Sequence, residues 1–306
     1  MEMYANLHNH STHSDGVHSP EMMVKVAKEE GFSALAISDH DAATAYPELK
    51  AACEREGMRC IFAVEFSVNR PVPAHIVAFD FDPEYPPMKK YLADMGYRQT
   101  DNTKKCFDEG VACGNITGIT WEEVEEYNKG IIWLCNNHVF RAMQAKGLVK
   151  EEEYMAWYMK NYSKQRGKYP PVIDFMETDK LIAMVKAAGG FCVLAHPTDA
   201  QMDKIDDYIA IGIEGIEVWH SDLNDAQRAR ALAIALDKDL YISGGSDHSG
   251  LLGGLYPSYP TEEALKASPH YIPERSTGVP KPFYEELVSR RRASREERET
   301  WITPKN

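Results

Sequence analysis

Seven apolar runs of strand length, set mostly between segments of helical period, constrain this chain more than any other feature. They cover residues 4–10, 32–38, 59–68, 74–80, 191–195, 215–219 and 240–243. Apolar strands that alternate with helices belong to α/β folds, where helices cover the sheet. Punctuation marks the helices. Ser19 and Pro20 open one over 20–30, and Gly57 stops another over 44–56. Further helical segments fall at 178–188, ahead of Gly189-Gly190, and at 202–211 and 225–236.

The rhythm breaks at Asp82-Pro83-Glu84-Tyr85-Pro86-Pro87. From 88 to 169 the pattern is helical, with many charges and aromatics, and it closes on Tyr169-Pro170-Pro171. Prolines at both ends of a composition shift mark an insertion. The expected organisation is therefore a repeating βα unit over 1–83 and 171–256, a helical insertion over 84–170, and a C-terminal extension over 257–306. Trp133 and Trp157 are expected in the core of the insertion. The charged stretch 289–298 reads as a solvated helix or tail.

The chemistry lies at the strand ends. His8 and His10 are two apart in the first run, so a strand points both to one face. Asp15 follows in the loop. His40 ends the second run, Glu65 lies near the end of the third, His196 ends the fifth, and Asp247-His248 follow the seventh. His75 stands apart, because it falls at the start of its strand. Where parallel strands form a barrel, their C-terminal ends converge on one mouth that carries the site. Imidazoles and carboxylates converging there suit Mn, Fe or Zn better than Mg or Ca.

His8-Asn9-His10, Ser14-Asp15-Gly16, Asp39-His40, Glu65, His75, Ala195-His196-Pro197 and Gly245-Ser246-Asp247 resemble, in order, the motifs of the polymerase-and-histidinol-phosphatase (PHP) family. The resemblance implies a distorted (β/α)7 TIM-like barrel with a cluster of two or three divalent metal ions. It also implies hydrolysis of phosphoesters. Carried over by motif, His8, His10, Asp247 and Glu65 hold one ion, and Glu65 bridges to a second held by His75 and His196. Asp15 and His40 belong to a third. The family's histidine two positions after the aspartate is Ser249 here, with His248 adjacent. On a regular strand Asp247 and His248 point to opposite faces. The expectation is two firmly held ions and a weak third site, with His248 a ligand only if the chain leaves strand geometry before the Gly-rich loop.

Such a cluster lets a bridging hydroxide attack phosphorus while the ions stabilise the phosphoryl oxygens. Three ions against Asp15, Glu65 and Asp247 would leave the pocket positive in a chain with 34 Lys+Arg, 47 Asp+Glu and a formal charge of −13. Asp15, His196 and His220 are the candidates to protonate the leaving oxygen. Within the insertion, Asn137-His138-Val139-Phe140-Arg141 resembles a family segment whose His and Arg grip substrate phosphate. This makes His138 and Arg141 candidate substrate contacts, with Asn136 where the family often has another Arg. His220 is a further candidate at the mouth. His13 and His18 read as loop histidines, and Ser38 and Asp39 as groups that orient His40.

The expected substrate is a small phosphorylated metabolite, a nucleotide or sugar phosphate mono- or cyclic diester. The acidic balance argues against stable nucleic-acid binding, which needs a basic stripe. It likewise disfavours a polymerase-attached proofreading domain. No apolar run reaches 18 residues and no signal-peptide pattern opens the chain, so a cytoplasmic protein without membrane association is expected. The six cysteines, none in a C-x-x-C pair, read as free thiols. Two rival readings are an amidohydrolase-type C–N hydrolase and a non-catalytic binding domain. The first lacks a lysine on the fourth strand, and the intact histidines and carboxylates speak against the second.

Overall fold

Side chains that take over backbone hydrogen bonds cut the expected strands short. The computed structural model describes residues 2–68, 74–162, 173–247 and 277–302. The first run is a strand only over Ala5–Asn6 (β1). Beyond it Asn9 donates to Asn6 O and Ala36 O, and Ser11 N donates to Asp39 Oδ1. These local bonds compete with a ladder. β1 pairs in parallel with Ala34–Leu35 (β2), which pairs in parallel with Arg59–Cys60 (β3). The run 59–68 breaks at Ile61-Phe62, and its second half, Ala63–Val68 (β4), joins a different sheet.

That second sheet has the order β4, Ala74–Phe79 (β5), Phe191–Leu194 (β6), Gly215–Glu217 (β7) and Tyr241–Ser243 (β8). β5 is antiparallel to both neighbours, whereas β6, β7 and β8 are parallel. The α/β class holds, but the described strands form two open sheets of three and five strands instead of one closed seven-stranded ring. Single bonds tie the sheets together. Glu65 N donates to Ser38 O and Asp41 N to Glu65 O on one side. Leu7 N donates to Gly244 O and Asp247 N to His8 O on the other.

Pro20–Glu29 (α1) starts on Ser19, whose side chain accepts from Met22 N. Tyr46–Glu56 (α2) ends at Gly57, which takes φ 68°. Between β5 and residue 162 the described residues give only helices: Pro86–Ala112 (α3), Trp121–Tyr127 (α4), Asn136–Ala145 (α5) and Tyr154–Asn161 (α6), with a 3-10 turn at Glu151–Glu153. They enclose their own apolar cluster, which includes Phe107, Trp121, Phe140 and Trp157. Trp133 is not in it. Its ring packs with Ala42 and Cys135 and stacks on His40 at 6.1 Å.

Thr178–Ala187 (α7) precedes β6. The expected helix 202–211 divides into Asp199–Met202 (α8) and Ile205–Ala210 (α9), and Asp225–Asp237 (α10) follows β7. Lys281–Ser289 (α11) and Arg295–Ile302 (α12) follow; the charged stretch 289–298 is largely exposed and enters α12, while the residues around it pack on the fold. Val279 bridges to Ala5, and Phe283, Tyr284 and Leu287 join the main core. Arg298 is buried, donating to Glu286 and to Leu240 O. No helix among the described residues is long and apolar enough to cross a membrane, and all six cysteines are free.

Candidate metal centre

Glu65 on β4 is 1% exposed, and five imidazoles surround it. Its Oε2 lies 3.3 Å from His8 Nε2, 3.3 Å from His10 Nε2 and 3.1 Å from His40 Nδ1. Its Oε1 lies 2.9 Å from His75 Nδ1 and 3.0 Å from His196 Nε2. Asp247 Oδ1 approaches His10 Nε2 to 2.9 Å and His8 Nε2 to 3.7 Å. Asp15 closes the other side, with Oδ1 3.7 Å from His10 Nδ1 and Oδ2 3.8 Å from His40 Nε2. The position of His75 now has a cause. Because β5 runs antiparallel, its first residues lie at the rim where the other strands end. The misfit came from strand direction.

The chain turns sharply to present these groups. His196 and Asp247 take left-handed φ of 26° and 52°, and Asp41, after His40, takes 47°. Non-glycine residues occupy this region at a cost, and such residues cluster at functional sites. Asp247 lies beyond the end of β8 at Ser243, so the alternation of strand faces does not govern it. A Cβ on Gly245 would fall 2.3 Å from His8 N, and one on Gly16 would fall 2.1 Å from His10 O. Both positions require glycine because the chain runs against the backbone of a histidine that faces the cluster. His248 and Ser249 lie outside the described residues.

Hydrogen bonds fix several ring tautomers. His8 Nδ1 donates to Glu217 Oε1 at 2.9 Å, which leaves Nε2 as the lone pair facing Glu65. Nε2 of His8, both nitrogens of His10 and Nδ1 of His40 are buried without a hydrogen-bond partner. Buried polar atoms rarely stay unpaired, and these converge within 4.8 Å sets, among them His8–His10–Glu65, His10–Asp15–His40 and His40–Glu65–His75. The donor set of imidazoles and carboxylates fits divalent transition-metal ions. His220 differs. Asp222 N donates to its Nδ1, so the neutral ring carries its proton on Nε2, 3.8 Å from Asp247 Oδ2. It sits fully buried, with Nε2 lacking a hydrogen-bond partner and grouped with His8 and Asp247, and it has no face open to substrate.

Burial opposes charge throughout the cluster, and mutual attraction prevails at Glu65 and His8. Glu65 is pushed up by burial but held well below the usual carboxylate range by His8, His40, His10 and His196. Burial drives His8 down, and Glu217, Glu65 and Asp247 outweigh it to raise it well above the usual value. Burial likewise lowers His40, and there it wins. Protons and metal ions compete for these lone pairs, so metal affinity falls as pH falls.

The loop bearing Asp15 is built by groups outside the cluster. Asp39 accepts from Ser11 N at 2.7 Å, Ser11 Oγ at 2.7 Å and Ser14 Oγ at 2.6 Å, so it shapes this loop and does not touch His40. Ser38 bonds Asn9. His13 is tied to Thr44 at 2.9 Å. The start of α5 then donates to a row of loop carbonyls. Cys135 Sγ reaches Ser14 O at 3.8 Å, Asn137 Nδ2 reaches Asp15 O at 2.6 Å, His138 Nε2 reaches Thr12 O at 3.0 Å, and Arg141 reaches Gly16 O at 3.5 Å. His138 Nδ1 accepts from Cys135 N, so both of its nitrogens serve backbone and neither is free for a ligand. Arg141 is half-buried at the rim beside Asp15.

Sequence reasoning missed Glu217. The signal was present: an acidic residue inside the apolar run Gly215-Ile216-Glu217-Val218-Trp219. As a fourth carboxylate it makes the pocket one unit less positive than the count from Asp15, Glu65 and Asp247.

The PHP domain profile matches 6–222. A phosphoribosyl 1,2-cyclic phosphate 1,2-diphosphodiesterase from Eggerthella lenta is 27% identical over 257 residues, covering 82% of this chain and 96% of that protein. A 5'-3' exoribonuclease from Haemophilus influenzae is 29% identical over 251 residues, covering 79% of this chain and 88% of that protein. A Bifidobacterium adolescentis protein, solved under the provisional description of a metal-dependent phosphoesterase, superposes with a TM-score of 0.73 at 27% identity, covering 94% of this chain and 96% of that one.

Proposed function

The chain belongs to the PHP domain family, and from that premise we propose that it is a metal-dependent phosphoesterase acting on a small phosphorylated metabolite. One observation carries the reading: Glu65 divides its two oxygens between two sets of imidazoles, and the first set, His8, His10 and His40, has buried nitrogens without hydrogen-bond partners. His8, His10, Glu65 and Asp247 would hold one divalent ion, and Glu65, His75 and His196 a second. Asp15 and His40 would hold a third more weakly. Mn is the preferred ion, with Fe or Zn the alternatives. Ions bound there supply Lewis acidity, lowering the pKa of a water and offsetting phosphoryl charge.

The chain's own residues supply the rest. Arg141, at the rim, is suited to pair with a substrate phosphate oxygen through charge-assisted hydrogen bonds. Asp15, 36% exposed on its side chain, would hand a proton to the leaving oxygen when no third ion is bound to it. His196 Nε2 is occupied by Glu65, which makes it the weaker candidate for that step. We read the two sheets as a strongly distorted barrel over 1–83 and 171–256, with 84–170 as a cap at its rim. Within 257–306, Val279, Phe283, Tyr284 and Leu287 pack with the barrel core. The acidic balance favours short substrates held by local cations over a long nucleic-acid track.

The test is phosphate or nucleotide release from a panel of a phosphomonoester, a cyclic phosphodiester and a short oligoribonucleotide. Chelation should abolish turnover and Mn²⁺ restore it, and Glu65→Ala should lose both bound metal and activity. Turnover that survives exhaustive chelation, with no metal by elemental analysis, would refute the reading.

A further inference from the structure

We infer that Glu217 is a positioning residue that sets two metal-facing histidines at once, one on each side of Glu65. The inference rests on the metal-site reading above and adds a residue to it. Glu217 ends β7, and its side chain is 0% exposed. A buried carboxylate is tolerated only when its lone pairs are taken up. Here Oε1 accepts from His8 Nδ1 at 2.9 Å, and Oε2 accepts from His196 N at 2.7 Å.

The two bonds do different work. The first holds the proton of His8 on Nδ1 and turns the bare Nε2 toward Glu65 Oε2, 3.3 Å away. Carboxylates that accept from a ligating imidazole orient the ring and raise its basicity. The second pins the backbone of His196, whose φ of 26° needs an external hold, and so aims Nε2 at Glu65 Oε1. His220 Nε2, 3.7 Å from Oε2, supplies a further donor nearby.

Both main partners are N–H donors, and only a carboxylate offers an acceptor at each end. A glutamine of the same size has one acceptor and one donor, so it must turn its NH2 toward one of them. Glu217→Gln is therefore the discriminating change, and Glu217→Asp, with two acceptors on a shorter stem, is the conservative rescue.

The experiment labels histidine with ¹⁵N and reads ring tautomers by two-bond N–H correlation in metal-free protein, at a pH alkaline enough that the His8 ring is neutral, with His8 assigned through His8→Gln. Wild-type His8 should carry its proton on Nδ1, and Glu217→Gln should lose that preference. Competition with a chelator for Mn²⁺ should show affinity reduced tenfold to a hundredfold in Glu217→Gln and largely recovered in Glu217→Asp. A role confined to packing would lower the melting temperature and leave the tautomer unchanged. If Glu217→Gln does not fold, the wild-type tautomer and the Glu217→Asp affinity decide. Wild-type His8 protonated on Nε2, or wild-type affinity in a folded Glu217→Gln, would overturn the inference. Wild-type protein that binds no divalent ion overturns the metal reading instead, and the tautomer measurement separates the two failures.

Discussion

His138 makes a pH-dependent contribution to stability that can be isolated by one substitution. Burial, reinforced by Arg141, pushes its imidazole down to about 4 despite the bond to Thr12 O. The unfolded value is about 6.5. A base whose folded pKa is depressed binds fewer protons when folded than when unfolded between the two values. Its contribution is thus complete above about pH 6.5 and is lost as pH falls toward 4. Linkage puts the loss near 2 kcal/mol at pH 5 and near 3 kcal/mol at pH 4, relative to neutral pH. His138→Gln is the reference. It occupies the third residue of α5, where a glutamine carbonyl can accept from Cys135 N as in a capping box, and it does not titrate. Urea unfolding of both proteins at pH 7, 6, 5 and 4, with chelator present, gives the difference free of metal linkage. The wild type should lose about 3 kcal/mol relative to His138→Gln across this range. A difference that stays constant within about 0.5 kcal/mol would show that His138 accepts a proton without cost, and the clamp of α5 onto Thr12 would be refuted.

Arg141→Ala should lower kcat/KM by about 1.5–3 kcal/mol, the worth of a charge-assisted hydrogen bond, with bound metal unchanged by elemental analysis. Wild-type kinetics would place Arg141 outside the substrate path. Gly245→Ala drives a methyl into the backbone of His8 and should cost about 1–3 kcal/mol in chemical denaturation as an overpacked site. It should also deplete metal, since His8 must move. Full metal content at wild-type stability would show that the close approach does not position His8.

Histidines were legible in the sequence because they are scarce and few structural roles demand them, so their recurrence at strand ends carried information before any contact was known. His8, His10, His40, His75 and His196 do meet on one carboxylate. The bland possibilities were equally real at other positions. His138 follows a family motif, yet its two nitrogens are spent on Cys135 N and Thr12 O. His220 lies in the cluster with its proton turned inward. What separates a ligand from a structural histidine is the partner of the second nitrogen, and that partner is remote in sequence: Glu217 for His8 lies 209 residues away. Acidic residues are common enough that Glu217 signalled only by its place inside an apolar run, and Asp39 by its place beside His40. Strand direction was hidden for a related reason. Period-2 patterning states which face a residue occupies and is silent on which way the strand runs. A parallel repeat makes His75 an anomaly at the wrong end, and reversing β5 brings it to Glu65 at 2.9 Å. The single residue that broke the pattern therefore carried the topological information, because a metal-facing histidine at the start of a strand is consistent with its neighbours only if that strand is antiparallel to them.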